Sequence, residues 1–361
     1  MRAAVLYEYN APLEIEDVEL DEPRSGEVLV KMAASGVCHS DYREIKGEWQ
    51  NWGLASLPVV LGHEGAGVVE SVGEDVVSVK PGDHVILVWY PPCGRCHYCM
   101  IGSPAYCDNP ILFKGDTRLH KGQQRISHYY GVSSFAEYAV VPESGAIPIP
   151  KDVPLEGAAL MGCCVPTGVG AAINTARVKA GSTVAVFGCG GVGLNILQGA
   201  ALAGAKTIIA VDVRDNKLDF ARQFGATHTV NASRGDPVEA IRKITGGESV
   251  EYAFEAIGNH ETMAQTIMCT RKMGTACIVG QAPDTAIISF PANLLYDERR
   301  IIGSSYGSII PRIDMPRLLD LYLDGKLKLD ELVTRTYPLD EINSAFEAME
   351  KGEVARSVIK F

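Results

Sequence analysis

A chain of 361 residues is too long for one hydrophobic core and points to two domains. With 47% hydrophobic and 21% charged residues it reads as folded globular protein, which excludes disorder. A net charge of -11 with no Lys/Arg cluster excludes a nucleic-acid groove. No apolar run approaches a membrane span and no signal-peptide pattern follows Met1, so a cytoplasmic location is the expectation. In that reducing setting ten cysteines are expected to serve as metal ligands rather than disulfides, and where they cluster becomes decisive.

In chain order, the first third alternates short β-rich runs with turn residues: Glu27 to Met32, Gly65 to Gly73 and Gly82 to Val88. That spacing predicts a mostly antiparallel β domain. The texture changes near residue 155, where Leu155-Glu156-Gly157-Ala158-Ala159-Leu160 opens a helical stretch. From Thr183 the order is strand (Val184 to Phe187), helix (Val192 to Ala203), strand (Thr207 to Asp212) and helix (Asn216 to Phe224), the βαβ unit of a parallel sheet. Further strands are predicted at Tyr252 to Glu255 and Thr275 to Gly280, with a strand region near Ile287 to Ile302. Helices at Arg317 to Tyr322 and Asp340 to Lys351 and a strand from Ser357 to Lys360 complete the chain. The domains expected are 1–163, 164–305 and a C-terminal segment, 306–361, that returns to the first.

Cys93, Cys96 and Cys99 stand three apart, and Cys107 follows closely. This spacing lets one looped segment wrap four thiolates around a zinc ion with no open position, which describes a structural site. Disulfides, an iron–sulfur cluster and chance clustering are the rival readings; the first conflicts with a cytosolic setting and the second with the ligand spacing. A second, dispersed set comprises Cys38-His39-Ser40-Asp41, Gly62-His63-Glu64-Gly65 and Gly162-Cys163-Cys164. Two thiolates and one imidazole leave a tetrahedral zinc one free position, as a catalytic site requires. Taken singly, each of these residues could equally be packed core.

Gly188-Cys189-Gly190-Gly191-Val192-Gly193 follows a strand and opens a helix, and Asp212 closes the next strand 19 residues after Gly193. Here the glycines permit a tight turn and close approach of backbone to a pyrophosphate at a helix N-terminus. Asp212 is placed to accept hydrogen bonds from ribose hydroxyls and to repel a 2′-phosphate, which favours NAD over NADP. Arg214 nearby is the counter-indication, since it could pair with such a phosphate.

Gly62-His63-Glu64, the Cys93 quartet and the glycine turn, in this order over essentially the whole chain, resemble the zinc-containing medium-chain alcohol dehydrogenases. The resemblance implies an α/β protein made of a GroES-like β-rich catalytic domain and a Rossmann doubly wound parallel-sheet coenzyme domain, with the active site in the cleft between them. It implies that Cys38, His63 and Cys163 hold a catalytic zinc, Cys163 being favoured over Cys164, which stands where the family has glycine. Glu64 becomes an alternative metal ligand or a buried ion-pair partner. Asp41 becomes the carboxylate behind His63, unless it is a surface aspartate. Lys217 is matched to a ribose-contacting lysine, and His39 and Arg356 to pyrophosphate contacts. Ser40 is expected to be the first proton acceptor, or merely an N-cap. Arg43 replaces the histidine that ends the family's proton relay and cannot act as a base near neutral pH. Trp89, with Tyr90, is expected to wall the substrate pocket, or else to be core.

The activity implied is interconversion of alcohols, primary ones first, with aldehydes or ketones, using NAD and two zinc ions per subunit. The alternatives are a thiol-adduct formaldehyde dehydrogenase, a polyol or aromatic-alcohol dehydrogenase, or a zinc-stabilised binding protein without catalysis. A homodimer or homotetramer is expected.

Overall fold

Side chains in the strand Glu27–Gly36 alternate: Val28, Val30, Met32 and Ala34 are buried while Lys31 faces out. This is the period-two pattern of a strand packed on one face. The computed structural model, which describes residues 1–50, 56–113 and 116–361, builds this strand into a seven-stranded sheet. In order, that sheet runs Ala146–Ile149, His84–Leu87, Glu64–Val72, Glu27–Gly36, Arg356–Lys360 and Val333–Pro338, with Tyr138–Pro142 also pairing Glu27–Gly36. Its pairings are antiparallel except for that of the last two strands. Val358 stands opposite Gly36, so the C-terminal strand is stitched into a sheet whose earliest strand is Glu27–Gly36. A second, six-stranded sheet includes Arg2–Leu6 and Gln124–His128.

Two compact units result. One contains Met1–Cys163, Ile310–Asp320 and Leu329–Phe361, the other Cys164–Ile309 and Leu321–Lys328. The second unit is built on a six-stranded, wholly parallel sheet in the order His228–Asn231, Thr207–Asp212, Thr183–Phe187, Val250–Glu255, Thr270–Ile278 and Arg300–Gly303. The chain leaves Thr183–Phe187 towards one edge, then returns beside it through Val250–Glu255 towards the other. That reversal is the switch point at which open parallel sheets bind ligands. Only Arg300–Gly303 of the region expected to be strand from Ile287 to Ile302 is extended; Ala292–Asp297 forms a 3-10 helix after Pro291. Among the described residues no helix is long and apolar enough to cross a membrane.

Candidate active site

The four quartet cysteines place their sulfurs within 4.8 Å of one another. The Cys96 and Cys107 sulfurs lie 3.8 Å apart, and Cys93 N–H points at Cys107 Sγ at 3.3 Å. Tetrahedral zinc with bonds of about 2.3 Å separates two sulfurs by about 3.8 Å, so the set fits the ion. The backbone N–H of Cys99 draws the Cys96 thiol down to about 6, whereas burial pushes Cys107 up to about 12. Thiols this close titrate against one another, and a divalent cation is what lets all four ionise together.

The dispersed set also converges. Cys38, His63, Glu64 and Cys163 each place one ligand atom within 4.8 Å of the others. Cys164 falls on the other side of the division between units and is wholly buried in the helix Cys164–Gly170. Cys38 is the N-cap of the helix His39–Ile45, and Asp41 at its third position closes the capping box. One Asp41 oxygen accepts from Cys38 N–H at 3.1 Å; the other accepts from Gly62 N–H at 3.1 Å and lies 3.0 Å from His63 Nδ1. A single carboxylate with no exposure therefore ties two ligand segments and leaves His63 Nε2 free to face a metal. It is not a surface aspartate.

Electrostatics favour a cation here. The neighbouring Cys163 thiol, working against burial, and the His63 ring hold Cys38 well below the usual thiol range. Burial disfavours charge on His63, but Asp41 and then Cys38 outweigh it and raise the ring's pKa. Glu64 has no exposure, and burial pushes its carboxyl up to about 7 against the pull of Arg356. Its Oε2 takes a hydrogen bond from the Arg356 guanidinium, itself 6% exposed, so Glu64 is both a member of the ligand cluster and a buried ion-pair partner.

Ser40 is half-buried at the second helical position, with Oγ 3.7 Å from Cys38 Sγ. It is not the N-cap, which is Cys38. His39 is exposed at the first helical position, and Arg43 pairs with Glu48 at 3.7 Å. Trp89 is half-buried and stacks edge-on against Tyr130 at 4.8 Å and tilted against Tyr90 at 5.3 Å. The Tyr129 and Tyr130 rings both lie within 6 Å of His63, and Tyr129 OH donates to Ser40 O at 3.2 Å. Sequence reasoning passed over this tyrosine pair; the one local signal was two aromatics before Gly131, whose φ is +66°.

In the second unit, Gly188 has a φ of +92°, and a Cβ on Gly193 would lie 1.7 Å from Gly188 O, so neither position accepts a side chain. A Cβ on Gly190, the N-cap of Gly191–Leu202, would meet nothing within 4 Å, which leaves open space over the helix N-terminus. Val192 lies in the first turn of that helix. Asp212 accepts from Cys189 N–H at 2.9 Å and Arg214 N–H at 3.1 Å, one bond to each oxygen. Lys217 is half-buried on Asp215–Gln223.

Fold and site together define a zinc-binding dehydrogenase with a dinucleotide turn. Residues 24–151 match the alcohol dehydrogenase GroES-like domain and residues 191–324 the zinc-binding dehydrogenase family. The chain is 42% identical to an alcohol dehydrogenase class-3 of Dictyostelium discoideum over 99% of its own length and 97% of that protein's. It is 40% identical to an S-(hydroxymethyl)glutathione dehydrogenase of Paracoccus denitrificans, covering 100% of this chain and 99% of the relative. Its structure matches a benzyl alcohol dehydrogenase from Acinetobacter calcoaceticus with a TM-score of 0.93 at 36% identity, over 100% and 99% of the two chains. The chain belongs to the zinc-dependent medium-chain alcohol dehydrogenases. It is an oxidoreductase of small-molecule alcohols and carbonyl compounds, with zinc and a nicotinamide dinucleotide as cofactors.

Proposed function

We propose that this enzyme oxidises primary alcohols with a flat or aromatic substituent, and reduces the matching aldehydes, with NAD as hydride acceptor. The observation that carries the reading is the convergence of Cys38, His63, Glu64 and Cys163 beside an aromatic wall of Trp89 and Tyr130. Cys38, His63 and Cys163 would hold the catalytic zinc, with Glu64 as a further oxygen donor, and Cys93, Cys96, Cys99 and Cys107 the structural one. Bound there, zinc supplies Lewis-acid polarisation of a substrate oxygen, and the dinucleotide supplies a hydride acceptor.

The protein's own groups do the rest. Asp41 fixes the His63 tautomer and increases its basicity as a ligand. Ser40 Oγ receives the proton of the substrate hydroxyl. Arg43, always charged, cannot carry that proton onward and leaves the exit to water or the cofactor ribose. Arg356 neutralises Glu64, and with His39 it is assigned to the pyrophosphate. Gly188, Gly190, Gly191, Val192 and Gly193 form the phosphate turn, while Asp212 and Lys217 hold the adenosine ribose. The Asp212 charge sets the preference for NAD over NADP.

A second reading, oxidation of the hydroxymethyl adduct of a glutathione-like thiol, is favoured by the names of relatives about 40% identical. Kinetics on zinc-replete enzyme decide between them. The first reading expects kcat/KM for benzylic alcohols with NAD to exceed both that for the thiol adduct and that with NADP by at least tenfold. A reversed adduct ratio selects the second reading, and no turnover on any alcohol sinks both.

We also propose a cytoplasmic homo-oligomer, dimer or tetramer. Among the described residues the strand Arg300–Gly303 pairs only with Thr270–Ile278, and Ile287 and Tyr296, which precede it in the chain, are exposed. Such an edge invites a second copy.

A further inference from the structure

Glu255 ends the strand Val250–Glu255 at the switch point of the parallel sheet and has no exposure at all. A buried carboxylate is costly unless donors surround it. Here they come from its own following loop. Oε1 accepts from Ile257 N–H at 3.1 Å, Gly258 N–H at 2.9 Å, Asn259 N–H at 3.4 Å and Thr262 Oγ1 at 2.7 Å. Oε2 takes a second bond from Gly258 N–H at 3.1 Å. Burial lifts the carboxyl's pKa, and these donors, Thr262 foremost, pull it back.

The same residue gathers its neighbours. Its carbonyl accepts from both Val279 and Gly280 N–H at 2.9 Å, which pins the turn after the adjacent strand Thr270–Ile278. A Cβ on Gly280 would lie 2.4 Å from Glu255 Oε2 and 2.2 Å from Gly258 N, so that turn is seated directly on the clamp. On the other side Ala256 N–H donates to Phe187 O at 2.9 Å, and a Cβ on Gly188 would lie 2.5 Å from Ile257 Cγ1. The segments that follow three neighbouring strands thus meet at Glu255 and the two residues after it, through the Glu255 carboxylate and carbonyl, Ala256 N–H and the Ile257 side chain. One of them is the first glycine of the phosphate turn.

We infer that Glu255 is a positioning residue for the dinucleotide: its carboxylate folds the segment 256–262, against which Gly188 and the Gly280 turn are seated, and so sets the shape of the binding crevice. The inference rests on the dinucleotide reading proposed above. Glu255 touches no reacting atom in this role. It keeps 256–259 and the Gly280 turn preorganised, so that binding does not have to order them.

The test is calorimetric binding of NAD to zinc-loaded wild type, Glu255→Gln, Glu255→Ala and Thr262→Val, with melting temperature and zinc content measured alongside. The wild type should bind. Glu255→Ala should bind at least tenfold more weakly, about 1.4 kcal/mol, with Gln and Thr262→Val in between and two zinc ions kept in each. In turnover the KM for NAD should rise while kcat holds or increases, because looser binding speeds product release. Variants that melt earlier yet bind NAD within about twofold of wild type would show that Glu255 only supports the fold, overturning the inference. Failure of the wild type itself to bind NAD overturns the dinucleotide reading, and the clamp's role with it. Should the Ala variant not fold, the Gln and Thr262→Val pair decides the matter alone.

Discussion

His128 offers a test of how burial and a neighbouring cation translate into stability. The ring is 5% exposed, its Nε2 accepts from Arg118 N–H at 3.2 Å, and it packs against Phe113 at 5.0 Å. Burial, and then the Arg118 charge, lower its pKa from 6.5 to about 3. A histidine whose folded pKa is depressed is neutral in the native state but protonates when unfolded. Its contribution is therefore complete above the unfolded value and falls as pH drops below 6.5 towards 3. At about 1.4 kcal/mol per pKa unit, the native state should lose about 1.4 kcal/mol near pH 5.5 relative to neutral pH through this one group. His128→Gln removes the titration and keeps an oxygen that can accept from Arg118 N–H. Urea unfolding of both proteins, zinc-loaded, at neutral pH and near pH 5.5 gives a difference of differences in which other titrating groups cancel. Tryptophan fluorescence suits the measurement because Trp49 and Trp89 belong to the first unit. Parallel loss of stability in the two proteins would refute the reasoning.

Three further outcomes separate the parts of the site. Cys96→Ser should lower zinc from two ions per chain to one, as read by elemental analysis, and speed proteolysis near residues 93–107 with the dispersed set still loaded. Asp41→Asn should weaken metal retention at the Cys38 set by about 10- to 100-fold and spare the quartet; chelator competition reads this, and equal loss from both sites would contradict the Asp41 assignment. Asp212→Ser should lower the NAD-to-NADP ratio of kcat/KM by at least tenfold, about 1.4 kcal/mol, and an unchanged ratio would place ribose discrimination elsewhere.

The parts of this protein that could be read in advance are those where local chemistry demands a residue type. Gly188 and Gly193 admit no Cβ, so the phosphate turn is written in glycine wherever it occurs. The quartet fits within 15 residues, and short spacing alone brings its sulfurs near one another. Cys38, His63 and Cys163 are 25 and 100 residues apart, and no local rule joins them. Only the resemblance to a family suggested that they meet. Tyr129 and Tyr130 were not anticipated because an aromatic pair before a glycine turn reads equally as core, and indeed both are largely buried.

Glu255 was invisible for a different reason. A lone glutamate at a strand end reads as a solvated charge, and nothing in Phe254-Glu255-Ala256-Ile257-Gly258 shows that four donors will enclose it. Asp41 was noticed only because it stands near a ligand, and its second task was missed: besides facing His63 it accepts from Cys38 and Gly62 N–H. In both cases a buried carboxylate gathers backbone N–H groups, for Asp41 from the segments that carry Cys38 and His63 and for Glu255 from the loop that follows it. An anion left without those donors would destabilise the interior by more than an ordinary lost hydrogen bond, so the segments are held wherever the carboxylate is. Internal anions thus hold two local segments, one tying the Cys38 and Gly62–His63 segments and one folding 256–262, on which Gly188 packs. Replacing either with an isosteric amide should disturb ligand affinity more than it disturbs the fold.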